Sequence, residues 1–137
     1  MRAMVLDTNI VLDLLLFDDP AAAALRLQLE AGAARWLATH AMREEFERVL
    51  AYPKIASWLS LPGKDREALL ACFDRLSLLA VAAPRAPVHC SDADDQIFID
   101  LAVTHQALLL SKDRAVLRLR KRLATLGAVV HIASAAP

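Results

Sequence analysis

The sequence carries no net charge: 16 Lys and Arg offset 16 Asp and Glu over 137 residues, with four histidines counted as neutral. A chain so balanced exerts no overall pull on nucleic acid or an anionic membrane, so any polyanion-binding surface has to be a local patch. Aromatic residues are scarce at 5%, leaving few rings for stacking on bases, so sequence-specific recognition by stacking is not expected. Cysteine is limited to Cys72 and Cys90. They lack C-x-x-C spacing and sit among aliphatic residues, which suits reduced, buried thiols in a cytoplasmic protein and argues against a disulfide. No uninterrupted apolar run is long enough to span a membrane. Residues 1–17 are apolar, but Asp7 and Asp13 interrupt them and no convincing cleavage site follows, which argues against a signal peptide. No repeat or low-complexity segment stands out beyond the alanine run 21–24, which is ordinary helix.

What the chain does have is apolar surface. Its hydrophobic fraction is 57% against 23% charged, enough for one well-supplied core in a single domain over residues 1–137. A domain of this size cannot hide all of it internally, so a homodimer is expected from the surplus. Short apolar runs predict strands at 3–6, 34–38, 79–82, 107–110 and 128–132. Helical spacing and capping signals predict helices at 10–16, 21–30, 41–51, 65–79 and 96–105, with a basic helix from after Asp113 to 125. Strands that are apolar almost throughout and alternate with helices indicate an α/β fold, a three-layer α/β/α sandwich around a mainly parallel central sheet. Trp36 and Trp58 are expected as core or interface anchors, and the scattered histidines as structural or exposed residues.

The acids carry the functional argument. In open parallel sheets, sites form beyond the carboxyl ends of strands, where Asp7 and Asp113 both fall. On the helix over 41–51, Met42, Phe46, Val49 and Leu50 make one stripe. Glu45 borders it, while Arg43, Glu44, Glu47 and Arg48 turn toward solvent. Asp92, Asp94 and Asp95 open the helix at 96. Each of these has a plain reading alone: a turn and helix cap for Asp7, a salt-bridge partner for Glu45, and helix caps for the trio and Asp113. Together they give up to four carboxylates able to meet in one pocket. Such a cluster repels itself unless protons or cations neutralise it. Hard divalent ions, Mg²⁺ or Mn²⁺, suit an all-oxygen set, whereas zinc would call for His or Cys. Their chemistry is hydrolysis of a phosphodiester by activated water, with no nucleophilic side chain required.

The elements Val5-Leu6-Asp7-Thr8-Asn9, Arg43-Glu44-Glu45-Phe46-Glu47-Arg48-Val49-Leu50, Asp92-Ala93-Asp94-Asp95 with Phe98 and Ala102, and Leu110-Ser111-Lys112-Asp113 resemble, in order, those of PIN-domain proteins. The resemblance covers nearly the whole chain and is strongest to bacterial members regarded as toxins of toxin–antitoxin pairs. It implies a metal-dependent ribonuclease acting on single-stranded RNA, with an antitoxin as partner. Asp7, Glu45, Asp95 and Asp113 would form the acidic, metal-binding quartet, Asn9 would support Asp7, and Ser111 would be an accompanying hydroxyl. Relatives often carry proline where this chain has Ala93. Asp95 is preferred within the trio for its spacing to Phe98 and Ala102, with Asp92 as a cap or outer ligand.

Lys112, Arg114, Arg118, Arg120, Lys121 and Arg122 form a basic stretch, readable as a solvated helix face or as phosphate contacts. In the second reading, RNA binding falls to Lys112, Arg114 and Arg118. Two other classes compete. A phosphoryl-transfer enzyme of receiver or haloacid-dehalogenase type needs a second acid beside the first, where this chain has Thr8 and Asn9. A PIN-like module that binds RNA or protein without cutting is the remaining alternative.

Overall fold

The computed structural model describes residues 2–132. Five strands, β1 (Ala3–Leu6), β2 (Arg35–Ala38), β3 (Ser77–Leu79), β4 (Leu108–Leu110) and β5 (Val129–His131), form one sheet in the order β3-β2-β1-β4-β5. Every pairing is parallel. The central strands β1 and β4 are buried along their whole length, which is why their sequences are continuous apolar runs rather than alternating ones.

Parallel neighbours need crossovers, and crossovers are right-handed. The path β1 to β2 to β3 therefore places its connecting helices on one face: α1 (Thr8–Leu15), α2 (Ala23–Glu30), α3 (His40–Leu50), the short α4 (Pro53–Ala56) and α5 (Arg66–Leu76). The chain then returns past β1 to β4 and β5. That reversed direction puts α6 (Gln96–His105), α7 (Arg114–Leu117) and α8 (Arg120–Thr125) on the other face. The result is the three-layer α/β/α sandwich with an all-parallel sheet.

On the first face Trp36 meets Phe73 edge-on at 4.6 Å, and Phe73 stacks on Phe46 at 5.4 Å. Each such ring pair adds about 0.5–1.5 kcal/mol to the area it buries. Trp58, by contrast, is exposed and touches only the Phe17 ring among aromatic partners of the described residues. Cys72 and Cys90 are free and half-buried rather than fully buried.

Several boundaries differ from the sequence reading for local reasons. The third strand begins at Ser77, not at 79, because α5 ends at Leu76 and the extended Ser77 pairs with Trp36. Pro53 does not only stop α3 but starts α4, the position where its fixed φ and missing N–H cost least. A 3-10 turn at Ser57–Ser60 follows it. The basic helix is two pieces: Leu119 N–H bonds Val116 O at 3.0 Å, a tightened turn that separates α7 from α8.

Gly127 leads into β5 at φ +87°, and its carbonyl accepts from Arg2 at 2.9 Å. A side chain there would be strained and would press on Gln106 at 3.0 Å. Gly127→Ala is expected to lower stability by about 1–2 kcal/mol, read as a shift in the urea midpoint at unchanged slope.

Candidate active site

The sheet order reverses between β1 and β4, so the loops leaving these strands diverge and open a crevice at their carboxyl ends. Leu6 sits opposite Leu110, and Asp7 N–H extends the ladder to Leu110 O at 3.2 Å. This register brings Asp7 level with Ser111. Asp7 is buried; its Oδ1 accepts from Ile10 N–H at 3.0 Å, capping α1, and its Oδ2 accepts from the Ser111 hydroxyl. The same hydroxyl oxygen accepts from Asp113 N–H at 3.0 Å, and Asp113 in turn caps α7 through Ala115 N–H at 2.8 Å. Ser111 thus ties the two strand-end acids together, and it is fully buried.

Glu45 arrives from α3, where it is held by a hydrogen bond from the Thr8 hydroxyl. Asp92 and Asp95 come from the 3-10 turn that opens α6. Carboxylate oxygens of Asp92, Asp95 and Asp113 lie within 4.8 Å of one another. The Asp95 Oδ2 is buried with no hydrogen-bond partner.

Electrostatics follow from this crowding. The Asp95 carboxyl is pushed up to about 7, first by burial, then by the charge of Asp113 and close carboxyl contact with it, and further by Asp92 and Asp7. Asp7 is also raised. Burial outweighs the lowering by Ser111 and Ile10, and Asp113 adds to the rise. A buried acceptor without a donor, inside a group of carboxylates that resist ionising together, fits a cation. The donors are all oxygens, as Mg²⁺ or Mn²⁺ prefer.

The acids line a cleft of about 840 Å³ together with Thr8, Asn9, Asp94, Arg48, Tyr52 and Lys54. Asp7, Glu45, Asp95 and Asp113, four acids from well-separated parts of the sequence, all reach it, as does Asp92. Asn9 lines the cleft, while the hydrogen bonds to the Asp7 side chain come from Ser111 and Ile10. Lys112 pairs with the buried Asp13 of α1. Arg114 and Arg118 are exposed on α7 and at its end, outside the cleft lining.

Sequence reasoning missed the roles of Thr8, Arg48, Tyr52 and Lys54, and also the device that holds the acidic turn. The buried Gln96 amide donates to Val88 O at 3.0 Å and to Asp100 Oδ1 at 2.8 Å, and accepts from Cys90 N–H at 2.7 Å. Asp100 also accepts from Ala86 N–H at 2.8 Å. Two polar residues four apart on the otherwise apolar start of α6 were the available signal. They satisfy the backbone of a segment without helix or strand that leads directly into Asp92.

The PIN domain model matches residues 3–115, a span that includes every acid of the cleft, and the chain belongs to the PIN-domain family. No match is found among curated proteins. Among solved structures, a chain of VapBC2 from Rickettsia felis, in a crystal structure bound to a DNA fragment from their promoter, is similar with a TM-score of 0.62 at 12% identity. The likeness covers 95% of this chain and 98% of that one. At that identity it speaks for the fold.

Proposed function

We propose that this protein is a Mg²⁺- or Mn²⁺-dependent endoribonuclease that hydrolyses single-stranded RNA, acting in the cytoplasm as the toxin of a toxin–antitoxin pair. The observation that carries the reading is the convergence of Asp7, Glu45, Asp95 and Asp113 in one cleft, where the Asp95 Oδ2 is buried without a partner and its carboxyl is raised by the charges of Asp113, Asp92 and Asp7. Asp92, Asp95 and Asp113, whose carboxylate oxygens lie within 4.8 Å of one another, would hold a divalent ion, with Asp7 and Glu45 lining the same cleft. When bound, such an ion supplies Lewis acidity toward a phosphate oxygen and makes water a usable nucleophile at neutral pH.

The chain's own residues set the geometry. Asp7 is fixed by two donors, and Glu45 is oriented by Thr8 through one carboxylate oxygen, leaving the other to accept a proton from attacking water. Both hydroxyls nearest the acids are engaged as donors, Thr8 to Glu45 and Ser111 to Asp7. This supports water, not a side chain, as the nucleophile. Arg114 and Arg118, with Lys112, would meet phosphates outside the cleft. The likeness to VapBC2 supports an antitoxin partner, and Leu79 at the end of the edge strand β3 and Val81 just beyond it, 82% and 88% exposed, would supply apolar surface for that partner or for a homodimer.

The test is cleavage of a labelled single-stranded RNA with Mn²⁺, Mg²⁺ or EDTA, comparing wild type with Asp7→Asn. Cutting should require the metal and fall about a thousandfold in the variant. Intact RNA under all conditions, or cutting indifferent to Asp7, would favour a PIN module that binds without cleaving.

A further inference from the structure

The cleft's other wall is made by the end of α3 and the start of α4, and its chemistry is unlike that of the acidic floor. Arg48, Tyr52 and Lys54 line it around one stiff corner. Tyr52 N–H donates to Val49 O at 3.0 Å, Tyr52 O accepts from the N–H groups of Ile55 and Ala56 at 2.9 and 2.8 Å, and Pro53 fixes the first position of α4. The backbone is therefore held while the ring is left in water. Tyr52 is 55% exposed. Among the described residues its ring has no aromatic partner and its hydroxyl no hydrogen bond.

The two cations beside it are also uncommitted. Arg26, Arg43, Lys64, Arg66, Arg75 and Lys112 each hold a carboxylate, whereas Arg48 and Lys54 form no ion pair among the described residues. Six carboxylates of the cleft repel a phosphate, and these two side chains are the positive charges that line it. The chain's single tyrosine lies between them in sequence and lines the same cleft.

We propose that Arg48, Tyr52 and Lys54 form a nucleotide subsite in which the Tyr52 ring stacks on an unpaired base and the two cations hold the flanking phosphates of an RNA strand. The subsite rests on the ribonuclease reading and names how that site selects single strands. A base inside a duplex has both faces covered and cannot reach the ring, whereas an unstacked base can, whatever its identity. One ring carries no base code, so stacking here would select an unpaired base and not its identity.

The experiment is fluorescence anisotropy of a short labelled RNA strand in Ca²⁺, with a gel confirming that the strand stays intact. Tyr52→Ala should weaken binding roughly tenfold with an unchanged salt slope, and Tyr52→Phe should stay within about twofold because the ring remains. Arg48→Ala and Lys54→Ala should each flatten the slope of log affinity against log salt by about 0.7, the signature of one lost phosphate contact on a single strand. A perfect duplex should bind without regard to Tyr52. Thermal unfolding is followed for each variant, and if Tyr52→Ala melts well below wild type, Tyr52→Leu supplies the same comparison with apolar bulk and no π face.

Wild-type affinity in Tyr52→Ala, equal losses in Tyr52→Ala and Tyr52→Phe, or no binding by wild type would each overturn the subsite. A DNA strand bound with the same Tyr52 dependence would overturn RNA as the class and leave a subsite for single-stranded nucleic acid. Tyr52-dependent binding by a protein that never cuts would sink the nuclease reading alone, and cutting with Tyr52-independent affinity would sink the subsite alone.

Discussion

In metal-free buffer above neutral pH, Asp95→Asn is expected to melt higher than wild type, and addition of Mn²⁺ should reverse that order. The first half follows from the Asp95 carboxyl, raised from its ordinary 3.8 to about 7 by burial and by Asp113, Asp92 and Asp7. Between about pH 4 and 7 the folded protein keeps a proton that the unfolded chain has released, so stability falls as pH rises through that window. Replacing the carboxylate by an amide removes the repulsion and offers the neighbouring Asp113 a donor. At this half-buried position, with solvent screening allowed for, the gain is about 1–2 kcal/mol, or a few degrees in Tm.

The second half follows from ligation. Metal at a hundred times its dissociation constant would stabilise wild type by about 2.7 kcal/mol, and the variant, without the Asp95 carboxylate, should gain little. RNA cleavage should fall about a thousandfold in the same variant. On the proposed ligand set, protons and metal would compete for Asp95, so the apparent Mn²⁺ affinity of wild type should decline as pH drops below about 7, approaching tenfold per pH unit. A variant that melts lower without metal and responds to Mn²⁺ like wild type would remove Asp95 from the ligand set.

Ser111→Ala is expected to be the most damaging change at a residue that need not touch substrate. The buried hydroxyl donates to Asp7 Oδ2 and accepts from Asp113 N–H at 3.0 Å, so its loss leaves a carboxylate oxygen and a peptide N–H unsatisfied. The cost is about 2–3 kcal/mol. The Ser111 bond is also the largest influence holding the Asp7 pKa down against burial, so Asp7 should rise further. A raised carboxylate destabilises the fold increasingly as pH rises through its titration, and the deficit should therefore be largest near neutrality and shrink toward pH ~4. Mn²⁺ affinity by calorimetry should drop about 10–100-fold, the usual effect of losing a group that orients a ligand. A Ser111→Ala protein that binds Mn²⁺ as tightly as wild type would mean that Asp7 keeps its place without the hydroxyl.

How much of this was legible beforehand depends on the range of the interaction. Strands β1 and β4 stand out because central parallel strands must be apolar on both faces, and Asp7 marks a helix start because a capping side chain bonds a backbone N–H only three residues away. The inward placement of Glu45 follows from helical periodicity. Where such short-range rules are silent, reading failed. The break between α7 and α8 leaves no trace in the apolar pattern, and Pro53 looked like an end when it is also a beginning. The basic stretch beginning at Lys112 could be read from sequence as a solvated face or as phosphate contacts, and no local pattern shows that Lys112 pairs with Asp13, nearly a hundred residues earlier in the chain, or that Arg48 and Lys54 line the cleft.

By itself, then, the sequence determined the alternation of strands and helices, the apolar core, and the four acids at strand ends and helix edges, because periodicity, capping and burial on both faces are properties of neighbouring residues. Only the tertiary structure decided that Asp92, Asp95 and Asp113 share one point, that Ser111 joins Asp7 to Asp113 and Thr8 steers Glu45, and that Tyr52 faces the same cleft. Those contacts depend on the β1–β4 register and on the reversal of crossover direction between them, which bring together residues up to about a hundred positions apart and which no local pattern encodes.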